Sequence, residues 1–110
     1  MLTFTRGDTF SIKFQRKDCN GDVITEAPNT MYFTLKTRPS IKTYVLQKTL
    51  EDMHSDADGT WHITLQPEDT EGLSVGNYYF DIEVTTNSYV KTIAKDWIKL
   101  TEESTWKDNK

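Results

Sequence analysis

Cysteine is nearly absent from the sequence, since Cys19 is the only one among 110 residues. A single cysteine cannot form an intramolecular disulfide, so the chain is not a small secreted domain held together by disulfide bridges. Long apolar runs are also lacking, because no stretch approaches the roughly 18 residues that a membrane-spanning helix needs. Thirteen Lys and Arg against 17 Asp and Glu leave a net charge of −4. We therefore expect no nucleic-acid partner and no membrane insertion.

Strong helix-forming residues are also scarce in this chain. Alanine occurs 3 times, whereas threonine occurs 17 times, isoleucine 7 times and valine 5 times. β-Branched residues favour strands, and a period of two between apolar and polar residues places every second side chain on one face of a strand. Alternating segments of this kind cover residues 2–4, 9–15, 31–36, 44–50, 61–66, 78–85 and 89–100.

This pattern predicts about seven short strands, separated by turns such as Asn20-Gly21 and Asp58-Gly59. No ten-residue stretch has the 3.6-residue apolar period of a helix, although Pro and Gly at the two ends of 67–73 predict one short helical turn there. The expected fold class is all-β, an antiparallel β-sandwich over residues 1–100. Residues 101–110 are predicted to be a polar, flexible C-terminal tail.

One stretch is similar to a characteristic segment of immunoglobulin-like domains. Residues 74–80, Ser-Val-Gly-Asn-Tyr-Tyr-Phe, resemble the Asp-x-Gly-x-Tyr-x-Cys segment that begins strand F in such domains. The resemblance makes Tyr78 a structural corner residue whose hydroxyl returns to upstream backbone, with Gly76 two residues before it in the same corner. An antibody-type domain is not expected, because there is no cysteine pair and no tryptophan between Phe14 and Phe33.

The order of several short motifs resembles the immunoglobulin-like domain at the N-terminus of phage baseplate upper proteins and in related prophage tail proteins. The resemblance covers roughly residues 3–101. The motifs that carry it are Arg6-Gly7-Asp8-Thr9-Phe10, Asn20-Gly21-Asp22, Asp58-Gly59-Thr60-Trp61, Pro67-Glu68-Asp69-Thr70, Gly76-Asn77-Tyr78, and a closing strand with Thr92 and Ile98-Lys99-Leu100.

The resemblance implies a non-enzymatic structural or adaptor module of a phage or prophage particle, assembled through protein–protein contacts. Other virion or tail proteins, or further copies of the chain, would be its partners, and no cofactor or catalytic residue is implied. Residues 1–5 contain neither a basic segment nor an apolar segment of a signal peptide. The expected location is therefore the virion, or the bacterial cytoplasm during phage assembly.

Aromatic residues on the predicted outer faces are the candidate interface residues. If alternate aromatics fill the core, the remaining ones face outward, where exposed aromatics are typical of protein interfaces and of sugar-binding platforms. A carbohydrate- or ligand-binding β-sandwich is therefore the alternative function. The candidate interface residues are Tyr32, Tyr79, Tyr89 and Trp106.

Catalytic and metal-binding residues are not expected from the sequence. His54 and His62 are the only histidines, and with Cys19 they supply too few ligands for a four-ligand zinc site unless carboxylates join them. The segment 54–59 spaces oxygen ligands like a calcium loop, but Leu65 stands where that loop needs a bidentate glutamate. We predict a solvated acidic turn at this segment.

Overall fold

The computed structural model describes residues 1–102. A 3-10 turn over Leu50–Asp52 and a short helix α1 (Pro67–Thr70) interrupt a succession of strands. The strands are β1 (Leu2–Thr5), β2 (Phe10–Gln15), β3 (Thr30–Lys36), β4 (Leu46–Thr49), β5 (Met53–Ser55), β6 (Thr60–Leu65), β7 (Gly76–Thr85) and β8 (Val90–Thr101).

The strands form two sheets. The larger sheet has the order β1-β8-β7-β3-β4, and the smaller sheet has the order β2-β6-β5. Neighbouring strands are antiparallel except β1 and β8, which run parallel with Leu2 opposite Ile98. The prediction of a wholly antiparallel fold was wrong at this edge. Since β1 and β8 lie near opposite ends of the described chain, no short hairpin connection sets their relative direction.

Side chains from both sheets form one core. Burial alternates residue by residue along β6 and β7, as expected for strands with one face turned inward and one outward. The chain is therefore all-β, with two sheets that share a single apolar layer. Its buried apolar residues are Ile12, Met31, Phe33, Leu35, Met53, Trp61, Ile63, Leu65, Tyr78, Phe80, Ile82, Val84, Ile98 and Leu100.

The segment between β6 and β7 is fixed by hydrogen bonds to buried groups. The buried Thr70 of α1 accepts a 2.9 Å hydrogen bond at its Oγ1 from the Gly7 N–H, which links α1 to the connection between β1 and β2. Tyr78 begins the buried face of β7, and its hydroxyl donates a 2.7 Å hydrogen bond to the Ser74 carbonyl. Burial raises the pKa of the Tyr78 phenol. This bond ties the corner to the sheet.

Two local features differ from the sequence pattern. The sequence predicts a loop over 51–59, but Met53–Ser55 forms β5 because Met53 is buried opposite Ile63 of β6. The last strand contains a bulge at Ile93, since Ile82 pairs with Ala94 and Glu83 pairs with Thr92. In the sequence, the alternation of the last strand breaks at Lys95-Asp96, which predicts a bulge there, two residues after its actual position. The predicted tail, apart from residues 101–102, lies outside the described residues.

Candidate interaction surface along strand β8

The outer side of β8 is only partly covered by another strand. β1 pairs with Ile98–Thr101, the last four of the twelve residues in β8. Within residues 1–102, no strand pairs with this side of β8 from Val90 to Trp97. The open stretch is eight residues long, whereas the edge strand β2 has six. Unpaired backbone groups on such an edge can bind another extended segment.

Charge and shape restrict which strand this open stretch can accept. Lys91 and Lys95 are exposed on it, and the bulge at Ile93 interrupts its regular pleat. Lysines and bulges on an edge oppose indiscriminate pairing with other edges. Val90, at the start of the stretch, is 65% exposed and supplies apolar surface. The combination favours a partner strand that carries negative charge.

A groove of about 610 Å³ lies beside the open stretch, between β8 and the segment that follows β2. Its lining includes three cations, Arg16, Lys17 and Lys91, and one carboxylate, Asp18. The Asp18 carboxylate accepts hydrogen bonds from the N–H groups of Asn20 and Asp22 within its own turn. The groove is therefore locally basic, although the chain has a net charge of −4.

Arg16 is a buried residue in the lining of this groove. It is only 4% exposed, and its guanidinium donates a 2.7 Å hydrogen bond to the Glu26 carbonyl and a 3.4 Å hydrogen bond to the Tyr89 hydroxyl. The Arg16 carbonyl accepts a 2.7 Å hydrogen bond from the Ile24 N–H. Arg16 therefore joins the segment after β2 to the turn between β7 and β8.

Replacing Arg16 with Met is expected to lower the free energy of unfolding by about 1.5–3 kcal/mol, since a charged donor to a carbonyl is lost while the apolar stem is retained. Urea denaturation measures the effect. Arg38→Met, the same change at an exposed arginine, should cost less than about 0.5 kcal/mol. Equal effects of the two substitutions would contradict the structural role of Arg16.

The candidate interface residues Tyr32, Tyr79 and Tyr89 do not form one cluster. Tyr32 and Tyr79 are both half-buried on the outer face of the larger sheet, but Tyr32 pairs with Glu83 of β7, four residues from Tyr79. At 3.4 Å per residue, the two tyrosines are about 14 Å apart along the sheet. Tyr89 lies at the end of the β7–β8 hairpin, against Arg16. Trp106 lies outside the described residues.

Tyr79 has a different aromatic neighbour that the sequence did not predict. Its ring packs edge-on against Trp97 with 5.6 Å between centroids, because the two residues are directly opposite in the β7–β8 pairing. Burial, together with the nearby carboxylate of Asp81, raises the pKa of Tyr79. The pair is a local cross-strand contact and does not extend to Tyr32.

The Asp96 side chain lies at the end of the open stretch nearest β1. The Asp96 carboxylate accepts a 2.7 Å hydrogen bond from the Trp97 N–H, and this bond holds the pKa of Asp96 below its usual value. The Met1 ammonium lies 3.3 Å from the same carboxylate and acts in the same direction. The Asp96 carboxylate therefore binds the backbone N–H of Trp97, the residue directly before the segment that pairs with β1.

The chain matches no protein-family model, and no curated protein matches it at a significant level. Within residues 1–102, no helix is long and apolar enough to cross a membrane.

Sequence reasoning missed the importance of β8. The signal that was available is the length of its alternating segment, 89–100, compared with the short segment 2–4 that begins the chain. A short strand cannot cover a long one, so part of the long strand must have an open side. That β1 is the neighbour of β8 depends on the tertiary fold and is not encoded in the alternation.

Proposed function

We propose that the chain is a non-enzymatic, immunoglobulin-like structural or adaptor module of a phage or prophage particle, which joins other virion proteins along the open side of β8. The observation that carries the proposal is the uncovered stretch from Val90 to Trp97, with the basic groove beside it. The virion context rests on the resemblance of the ordered sequence motifs to phage baseplate and prophage tail proteins.

The immunoglobulin-like part of the proposal is supported by the strand order. In such sandwiches one sheet contains strands A, B, E and D, and the other contains C, F and G, with further strands beside C in variable-type domains. The sheet β2-β6-β5 has the order expected for B, E and D, and β8-β7-β3-β4 has the order expected for G, F, C and a further strand. The strand β1 departs from this arrangement, because it pairs with β8 and not with β2. The hydrogen bond from Tyr78 to Ser74 stands where a tyrosine corner is found, at the start of the strand equivalent to F.

The proposed partner segment is extended and acidic. A strand added to β8 would gain backbone hydrogen bonds along the open side, and acidic side chains would lie near Lys91 and the basic groove. The two lysines of the open stretch lie on opposite faces of the sheet, because Lys91 pairs with the inward-facing Val84 and Lys95 with the outward-facing Asp81. An acidic partner strand would therefore meet one lysine on each face.

The test compares charge reversals at two positions of the same strand. Lys91→Glu changes the open stretch, whereas Lys99→Glu changes a residue that pairs with Thr3 of β1. Each variant replaces the native chain in a host that carries the gene, and particles are purified. We expect Lys91→Glu to reduce incorporation by about tenfold, which corresponds to a loss of about 1.4 kcal/mol in binding. Lys99→Glu should be incorporated normally.

Two results would overturn this assignment. If both variants were incorporated equally, the open stretch would not be the surface that binds the partner. A concentration-dependent dimer in sedimentation velocity that is lost in Lys91→Glu would replace the acidic partner with a second copy. Thermal denaturation of both purified variants identifies any loss of incorporation that arises from unfolding.

The alternative, a sugar- or ligand-binding sandwich, has less support from the geometry. A flat platform needs aromatic rings side by side, but Tyr32 and Tyr79 are separated along the sheet and Tyr79 meets Trp97 edge-on. Specific binding on a glycan array that is lost in Tyr79→Ala would favour this alternative over assembly.

A further inference from the structure

We propose that His54, Asp56 and His62 form a binding site for a divalent transition-metal ion such as zinc. The site lies on the outer side of the smaller sheet, away from β8. It is independent of the proposed function, because it uses none of the residues that surround the open stretch of the larger sheet.

The β5–β6 hairpin brings the three residues together. His54 and His62 are directly opposite in the pairing of the two strands, so both imidazoles project from the same face. Asp56 begins the turn, where its N–H donates a 2.8 Å hydrogen bond to the Thr60 carbonyl. This turn returns the chain to β6 and leaves the Asp56 carboxylate within reach of His62.

The ligand atoms of the three residues are close to one another. The His62 Nε2 is 2.8 Å from the Asp56 Oδ2, and one ligand atom from each residue lies within 4.8 Å of the other two. The two imidazole rings stack with 4.6 Å between centroids and 6° between planes. Zinc bonds of about 2.0–2.1 Å at tetrahedral angles place neighbouring ligand atoms about 3.3 Å apart. The parallel rings do not direct both imidazoles at one ion, so binding requires rotation of the exposed His54 and Asp56 side chains toward His62, whose side chain is only 15% exposed.

The ligand set indicates the class of metal. Two imidazole nitrogens and one carboxylate oxygen suit zinc and similar divalent ions, whereas calcium and magnesium prefer oxygen ligands alone. Three protein ligands leave a fourth position for water or for a group from another molecule. A bound metal would replace the hydrogen bond between His62 and Asp56, with the neutral imidazole offering Nε2 to the ion and carrying its proton on Nδ1.

The charged residues next to the site have opposite effects on the binding of a cation. Lys13 of β2 is opposite His62 on the other side of β6, and its ammonium disfavours a cation. Asp58, in the same turn, accepts a 2.9 Å hydrogen bond at its Oδ1 from the Thr60 N–H. Its carboxylate adds negative charge near the site and offsets the charge of Lys13.

The experiment measures zinc binding to the full chain by competition with a chromophoric chelator. One zinc ion per chain is expected. Removing a residue that only hydrogen-bonds to a metal ligand lowers metal affinity by about 10- to 100-fold. Removing a ligand itself should cost at least as much, so His54→Gln, His62→Gln and Asp56→Asn should each weaken zinc binding by about tenfold or more. Asp22→Asn, which removes an exposed carboxylate in another turn, and Cys19→Ser are the controls and should bind as the native chain does.

The native chain provides a second measurement that does not depend on variants. Because the sequence has only 2 histidines, Co²⁺ added to the native protein should shift the imidazole resonances of both in NMR spectra. Calcium in excess should leave zinc affinity unchanged. The proposal is overturned if zinc does not bind, if either histidine variant binds zinc as tightly as the native chain, or if Co²⁺ leaves the two imidazoles unshifted.

Discussion

Replacing Phe33 with alanine is expected to lower the free energy of unfolding by about 3–5 kcal/mol. Phe33 is fully buried in the centre of β3, and its ring lies 5.4 Å from the Phe80 ring of the neighbouring strand β7. Removing it opens a cavity between the two sheets, whose lining residues lose their packing contacts. Since small domains are stable by only about 5–15 kcal/mol, most of the stability could be lost. Urea denaturation at constant m-value measures the effect.

Tyr32 provides the matched control for this substitution. It adjoins Phe33 in β3 but faces outward, opposite Thr49 and Glu83 of the neighbouring strands. Tyr32→Ala removes a side chain of similar size and should cost about 1 kcal/mol or less, the value of a cross-strand pair. If the two substitutions had equal effects, β3 would not separate a core face from an outer face.

Replacing Gly59 with alanine is expected to lower the free energy of unfolding by about 2–5 kcal/mol, the sum of two costs. Gly59 has a φ of +86°, a conformation that costs a residue with a side chain about 1–2 kcal/mol. An added Cβ would also stand 2.6 Å from the Val23 Cγ1 and close to Thr25. Relieving this overlap costs a further 1–3 kcal/mol or so, as in overpacked cores. Thermal or urea denaturation measures the sum.

Gly21 isolates the first of these two costs, the positive φ. Its φ of +85° matches that of Gly59, but an added Cβ would meet nothing within 4 Å. Gly21→Ala should therefore cost only about 1–2 kcal/mol. A smaller effect at Gly59 than at Gly21 would mean that the segment containing Val23 does not pack against the β5–β6 turn.

Much of the fold was predictable from the sequence because the outer and inner faces of most strands are chemically distinct. In β7 the alternation of Phe80, Ile82 and Val84 with acidic and polar residues identifies both the strand and its buried face. β5 was missed because a three-residue strand has too little alternation to stand out from the acidic residues around it. The strand forms because Met53 pairs with Ile63 of β6 and is buried there, a tertiary contact that the local sequence does not reveal.

The bulge in β8 shows why registers are harder to predict than strands. Val90, Thr92 and Ala94 have the spacing of residues on one face, yet Thr92 pairs with the outward-facing Glu83 and Ala94 with the inward-facing Ile82. One extra residue, Ile93, moves the following side chains to the other face. Its position depends on which register buries Ile98 and Leu100, a tertiary property.

The candidate sites were less predictable than the fold. Outward-facing tyrosines could be assigned to a face from the alternation, but their separation depends on the register of β3 against β7, which places Tyr32 opposite Glu83 and four residues from Tyr79. The two histidines could have been brought together from the sequence, since they flank the Asp58-Gly59 turn of a hairpin. The acidic residues of 51–59 predict a loop, and a loop does not place His54 opposite His62 as the strand β5 does.

Our proposal that this chain is assembled into a phage or prophage particle through β8 is best tested on purified particles from a host that carries the gene. Quantitative mass spectrometry should find a fixed number of copies per particle, and hydrogen–deuterium exchange should be slower at Val90–Trp97 in particles than in the free chain. The account is contradicted if the chain is present in the lysate but absent from the particles, or if that stretch exchanges equally fast in both.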